Sequence, residues 1–249
     1  MPRFYLEGGL LDRDTEEVTL LGEDARHISL SLRMRVGDEI TVSDGAGQDY
    51  LCRLTALLPD RVSARVLSPL PKRGELPFPI HLYMAYPKGD KLEFIIEKAV
   101  ELGAFSVTPF LSSRCVRRPA AEKTARLSER YNKIARGAAG QCGRSVLPRI
   151  GEPLDFLGML RAAGEAELTL FCYEGEGTLP LPGVLRDIPA PASVAIIIGS
   201  EGGFSEEEAA AARAAGCIPV GLGERILRCE TAPLAALSFL LYRYGFGKI

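Results

Sequence analysis

Val194-Ala-Ile-Ile-Ile-Gly-Ser-Glu-Gly-Gly-Phe-Ser-Glu-Glu-Glu208 sets an apolar strand, a glycine-rich loop and a helix start one after another. The run Val194–Ile198 is short, β-branched and unbroken, as a strand buried on both faces would be. Ser205 and Glu208 have the spacing of a capping box, in which each side chain satisfies a backbone N–H of the first helical turn. The Ala-rich stretch that follows predicts a helix ending near Gly216.

The same alternation continues on both sides. Downstream, Ile218–Leu222 is a short strand, and Thr231-Ala-Pro233 opens a last helix with Pro in its first turn. Upstream, His81–Tyr86, Phe105–Pro109 and Leu168–Tyr173 read as strands. Asp90 can cap a helix whose apolar positions Leu92, Ile95, Ile96 and Ala99 follow i, i+3, i+4, i+7, with Gly103 at its end. Residues 120–140 are helical in pattern. Strands alternating with helices predict an α/β domain built on a mostly parallel sheet with helices on both faces.

Before residue 70 the pattern is different. Glu39–Ser43, a turn at Asp44-Gly-Ala-Gly47 and Tyr50–Leu54 make strand, turn and strand, and Arg61–Leu67 alternates polar and apolar residues. With one helix-like piece near Asp24–Leu32, this predicts a small β-barrel. Ser68–Pro79 is Pro-rich and reads as a stiff linker. The expected division is therefore 1–72 and 73–249.

Composition narrows the function. With 47% hydrophobic and 25% charged residues, the chain has the make-up of a soluble globular protein. Aromatics are 7% and Trp is absent, which argues against a stacking-dominated binder of single strands. The net charge of -2 hides a strong asymmetry. Residues 114–149 carry ten Lys/Arg against two acids, and residues 150–210 carry two Arg against eleven acids. Such a basic segment is either a footprint for phosphates or a solvated helix face. The six cysteines form no CxxC pair and the two histidines no cluster, so reduced thiols are expected rather than disulfides or a metal site. No signal peptide and no membrane-spanning run is read, and a cytoplasmic location is expected.

Two glycine loops fall where such a sheet binds ligands, beyond the carboxyl ends of strands. They are Ile198–Phe204 and Gly221-Leu-Gly-Glu-Arg-Ile-Leu-Arg-Cys-Glu-Thr-Ala232. Neither cradles a phosphate by pattern. The first lacks the Lys and Ser/Thr of a P-loop, and the second has Ile226 where a dinucleotide fold needs its third glycine. Glu201 would repel a phosphate and suits a ribose diol or a cation. Alternatively the glycines only form turns and Glu201 is solvated.

Five stretches taken in order resemble the ribosomal RNA small subunit methyltransferase E family. They are Lys91–Gly103, Pro109–Arg114, Lys133-Ile-Ala135 with Gln141 and Arg144, Ile198–Phe204, and Leu222–Ala232. Ser200 stands where the family usually has Pro, and Cys229 where a small residue is usual. The resemblance implies a SPOUT fold with a C-terminal trefoil knot, an exception to un-knotted topology, and an N-terminal PUA-like barrel. It further implies a homodimer, S-adenosylmethionine (SAM) as cofactor without a metal, and methylation of N3 of a uridine in 16S rRNA of the small ribosomal subunit.

By the same resemblance, joined to chemistry, Gly199, Glu201, Gly202, Leu222, Gly223, Ile226, Leu227 and Arg228 would hold the cofactor. Arg228 would stabilise the uracil anion, Glu230 would act as base, and Arg114 would bind the target nucleotide. A plain ion pair between Arg228 and Glu230 is the competing expectation. Arg3, Arg33, Arg117, Arg118, Arg126, Gln141 and Arg144 would contact RNA. His27 fits the barrel pattern without a catalytic role. A non-catalytic RNA-binding factor and a ribose 2′-O-methylase are the alternatives, the second disfavoured by Glu230 in the last loop. No Gly-x-Ser-x-Gly elbow supports a hydrolase.

Overall fold

The computed structural model of the chain describes residues 1–6, 10–12 and 14–245. It divides into two compact units, 1–75 with 139–147, and 76–138 with 148–249.

The first unit holds β1 (Arg3–Tyr5), β2 (Leu10–Asp12), β3 (Glu17–Leu21), a short helix α1 (Gly22–Arg26) that runs on as a π-helical turn His27–Ser31, β4 (Glu39–Ser43), β5 (Asp49–Leu57) and β6 (Arg61–Leu70). The sheet order is β1-β4-β5-β6-β3-β2, antiparallel except for β1 beside β4. Alternate residues of β3 and β6 point inward, so Val18, Leu20, Val62 and Ala64 join Ile40, Val42, Cys52, Leu54 and Ile28 in one core. The expected linker begins later than the Pro pattern suggests. Ser68–Leu70 still belong to β6, where Pro69 pairs with Tyr50.

A segment from far along the chain completes this unit. Arg73 N–H donates to Ser145 Oγ (2.9 Å), Ser145 Oγ donates to Asp49 (2.6 Å), and Leu147 N–H donates to the Gly45 carbonyl (2.9 Å). Arg144 is 2% exposed and grips Glu75 with two nitrogens, at 2.7 and 3.3 Å. The linear division at residue 72 does not contain this return.

The second unit is α/β. Its elements are β7 (Ile80–Ala85), α2 (Lys91–Glu101), β8 (Ser106–Leu111), α3 (Ala121–Cys142, whose last turn belongs to the first unit), β9 (Arg149–Ile150), β10 (Leu154–Asp155), α4 (Phe156–Ala163), β11 (Leu168–Cys172), β12 (Leu179–Pro180), α5 (Leu181–Asp187), β13 (Val194–Ile198), α6 (Glu206–Ala214), β14 (Ile218–Gly221) and α7 (Ala232–Leu240), followed by a π-helical turn Leu241–Gly245. Strand order is β10-β8-β7-β13-β11-β14-β12, with β9 also on β8. Every described pairing in this sheet is parallel. β13 lies between β7 and β11 and its five residues are all buried, which is why its sequence is apolar without alternation. The expected face of α2 is the buried one, since Leu92, Ile95, Ile96 and Ala99 are each 0% exposed. No described helix is long and apolar enough to cross a membrane.

The capping box at α6 forms as its spacing predicts, and it does more. Glu208 is 8% exposed, and its carboxylate accepts from Ser205 N–H (3.0 Å) and from Ser113 N–H (2.7 Å), tying the start of α6 to the segment after β8. Replacing Glu208 with alanine leaves the N–H of half-buried Ser205 and that of exposed Ser113 without their acceptor. We expect a loss of about 1–3 kcal/mol, the cost of one unsatisfied N–H at Ser205 while Ser113 turns to water, read as a lower urea midpoint. An unchanged midpoint would show that water serves these groups equally well.

Candidate active site

Three adjacent strands end at one place. The carboxyl ends of β13, β11 and β14 carry the segments 199–205, 173–178 and 222–231, and these surround a cleft of about 1000 Å³. The first and third are the two glycine loops expected from the sequence. The middle one, Tyr173–Thr178, adds to the expected pair, and its signal in the sequence is Gly175 and Gly177 directly after a strand. A Cβ at Gly175 would lie 2.2 Å from the Tyr173 ring, so this loop folds tightly over its own tyrosine. Tyr173 in turn stacks on Phe171 (5.7 Å) and carries the Arg213 guanidinium 5.6 Å from its centroid.

The first loop is fixed by chain-to-chain contact. A Cβ on Gly199 would meet the Phe204 ring at 3.0 Å and Gly203 Cα at 3.1 Å. One on Gly202 would meet Arg114 Cβ at 2.9 Å and its carbonyl oxygen at 3.1 Å. These glycines therefore have a structural reason apart from any ligand. Phe204, 4% exposed, plants the loop in an aromatic cluster with Phe171 (4.4 Å), Phe156 and Phe110. Ser200 keeps the turn closed, its carbonyl accepting from Gly203 N–H at 2.9 Å.

The last loop is open by contrast. Gly223 has φ +126, which other residues adopt only with strain, and nothing lies within 4 Å of where its Cβ would be. Leu222 and Leu227 are half-buried in the lining, and Ile226 is 83% exposed. The Arg228 side chain is exposed on the cleft wall, while its carbonyl accepts from Thr231 and Ala232 N–H (2.8 and 2.9 Å) to start α7.

Glu230 turns away from this lining. Its carboxylate lies 3.0 Å from Lys91 Nζ and accepts from the Cys229 thiol at 3.3 Å. The anticipated Arg228–Glu230 pair is replaced by Lys91–Glu230. Lys91 also reaches Glu201 at 3.0 Å, and Glu201 accepts from Lys88 N–H with both oxygens, at 3.1 and 3.2 Å. Burial opposes ionisation of Glu230, but its own backbone N–H and Lys91 prevail and hold it below the ordinary carboxylate range. That direction weakens it as a base. Burial first, then Glu230, pushes the Cys229 thiol up to about 12, so it stays protonated at neutral pH.

Arg114 lines the cleft and donates to the Gly202 carbonyl at 3.2 Å. Of the arginines expected at RNA, Arg117 donates to the Gly89 carbonyl and Arg118 to the Ser112 carbonyl (3.0 Å), while Arg33, Arg126 and Gln141 are exposed. Arg3 and Arg144 are placed differently. The Arg3 side chain is 10% exposed and 2.7 Å from buried Asp49, and Arg144 is the buried partner of Glu75. Both cations are paired with carboxylates inside the first unit. Among the described residues no group of three His, Cys, Asp or Glu side chains could hold a metal.

Comparison with known proteins gives the class first. Residues 74–241 match the model of the RNA methyltransferase domain, and residues 20–67 that of the RNA methyltransferase PUA domain. Ribosomal RNA small subunit methyltransferase E of Bacillus subtilis is 34% identical over 98% of this chain and 97% of its own. The Neisseria gonorrhoeae enzyme of that name, in a crystal structure bound to S-adenosyl methionine, is 31% identical over 98% of both chains, with a TM-score of 0.84. A Legionella pneumophila structure in complex with bound SAM is 33% identical over 96% of both chains, with a TM-score of 0.85. The chain belongs to the ribosomal RNA small subunit methyltransferase E family.

Proposed function

We propose that this protein methylates N3 of a uridine in 16S rRNA of the small ribosomal subunit, with SAM as methyl donor. The observation that carries this is the cleft at the ends of β13, β11 and β14, in a chain whose relatives of similar fold hold SAM.

The residues present fit that cofactor. Leu222 and Leu227 offer apolar walls, Gly223 lets the chain pass close to a ligand, and Gly199 and Gly202 keep the opposite wall thin. Bound SAM supplies a methyl on a positively charged sulfur that leaves readily, so the chemistry asks for no metal. The work left to the chain is to align uracil N3 with that methyl and to favour loss of the N3 proton. Loss of the N3 proton leaves negative charge on the uracil carbonyl oxygens, which transfer of the methyl to N3 would then remove. Arg228, cationic and exposed on the cleft wall, is the side chain assigned to that charge. Arg114 at the rim holds the nucleotide, and solvent water takes the proton. Glu230 is assigned to Lys91 instead. The exposed Arg126, with Arg33 and Gln141, gives the RNA a salt-sensitive grip. The same reading makes the protein a cytoplasmic homodimer with a knotted C-terminal region.

The test is transfer of labelled methyl from SAM to small subunits lacking the modification, with nucleoside analysis. N3-methyluridine is the expected product. Arg228→Ala should cut kcat by roughly 10²–10³, as loss of an oxyanion donor does, with SAM affinity changed far less. Methyl on a ribose would overturn the base assignment. SAM binding without transfer would move the substrate to another RNA, and no SAM binding would favour a non-catalytic RNA-binding factor.

A further inference from the structure

We infer that Lys91 is a positioning residue that locks the two glycine loops of the cleft together, its ammonium bridging Glu201 of the first loop and Glu230 of the last. This deepens the SAM reading and rests on it.

Three observations carry the inference. Lys91 is the first residue of α2, the end of a helix where a cation is disfavoured by the backbone dipole, so helix stability does not account for it. Its Nζ lies 3.0 Å from each of two carboxylates that come from different loops, and 3.9 Å from Cys229 Sγ. The three side chains are only 20–35% exposed, although Lys91 and Glu201 line the cleft. Glu201 is also hooked by the Lys88 N–H through both oxygens. It is therefore an anchor of the loop, and the cation it balances is Lys91.

The groups facing the ammonium are Glu201 from the segment after β13, and Glu230 and Cys229 from the segment before α7. Glu230 first, then Glu201, raises the pKa of Lys91, so the cation persists through the accessible range. Burial opposes ionisation of Glu201, but its own N–H, Lys91 and Lys88 outweigh it and leave the carboxyl depressed, as they do for Glu230. A depressed carboxylate contributes above its ordinary pKa and stops contributing as pH falls through the lowered value. The intact clamp is thus insensitive to pH between 5.5 and 8. Without Lys91, two facing carboxylates repel at pH 8, and protonation on acidification relieves them.

The experiment is calorimetric titration of SAM into the full chain at pH 5.5 and 8, with melting temperature and circular dichroism as fold controls. Wild type should bind equally at both values. Lys91→Met should bind roughly 10- to 100-fold more weakly at pH 8, in the range for coupled neighbours, and recover much of the loss at pH 5.5. Adding Glu230→Gln to Lys91→Met should also restore affinity at pH 8, and Lys91→Arg should stay near wild type. Wild-type affinity in Lys91→Met, or a loss equal at both pH values and unrelieved by Glu230→Gln, overturns the clamp and leaves the SAM reading standing. Failure of the wild type to bind SAM overturns both.

Discussion

Alanine in place of Arg144 is expected to lower the stability of the N-terminal unit by about 3–5 kcal/mol, the cost of removing one partner of a buried ion pair. The side chains of Arg144 and Glu75 are 3% and 9% exposed, and the guanidinium meets both carboxylate oxygens. Glu75 also accepts from Val146 N–H at 3.0 Å, so it cannot turn out to water without abandoning that group. Gly74 leaves no slack, because a Cβ there would already sit 3.2 Å from Arg144 Cα. Urea denaturation followed by circular dichroism measures the loss. Arg126→Ala, on the exposed side of α3, should stay within about 0.5 kcal/mol of wild type. Should Arg144→Ala prove as stable as wild type yet bind RNA weakly, the arginine faces RNA after all.

The second large effect is expected at the first loop. Valine at Gly202 would drive its Cβ to 2.9 Å from Arg114 Cβ and 3.1 Å from the Arg114 carbonyl, and the obstacle is backbone that cannot swing aside. Relief requires the loop to leave the segment after β8, at about 1–3 kcal/mol for an overpacked site. The Arg114 contact to the Gly202 carbonyl and the seat of Glu201 move with it. SAM affinity should fall by about the same amount, roughly 5- to 150-fold, because binding must push the strained loop back into place. Titration calorimetry on the variant decides it. Near-normal binding would mean that the loop has room to shift and that Gly202 serves only the turn.

Much of the second unit could be read from the chain because its signals are local. Val194–Ile198 and Ser205–Glu208 each carry their own evidence, and the helical phase of Leu92, Ile95, Ile96 and Ala99 matches the buried face of α2. The six-stranded sheet was read less completely. β1 is three residues long, too short for any periodicity, and it is held by pairing with β4. β3 does alternate, with Val18 and Leu20 inward, but over only five residues. Charge counting located the basic segment yet could not sort its members. Arg126 and Arg144 look alike in sequence, and only the partner Glu75, far away in the chain, separates an exposed cation from an interior one. Lys91 escaped notice for the same reason. Its partners lie at 201 and 230, and helix phase says nothing about a residue that points off the end of the helix.

The return of Ala139–Leu147 to the N-terminal unit sets an order of events on the ribosome. That unit cannot finish folding when its own sheet has been synthesised, since Asp49 and Glu75 wait for Ser145 and Arg144 to emerge. The centre of the parallel sheet waits longer still, because β7 has no inner neighbour until Val194–Ile198 arrive. Pairings this distant in sequence make closure slow. A nascent chain stalled near residue 190 would therefore hold every segment of the first unit while the β13 edge of β7 still lacks its partner.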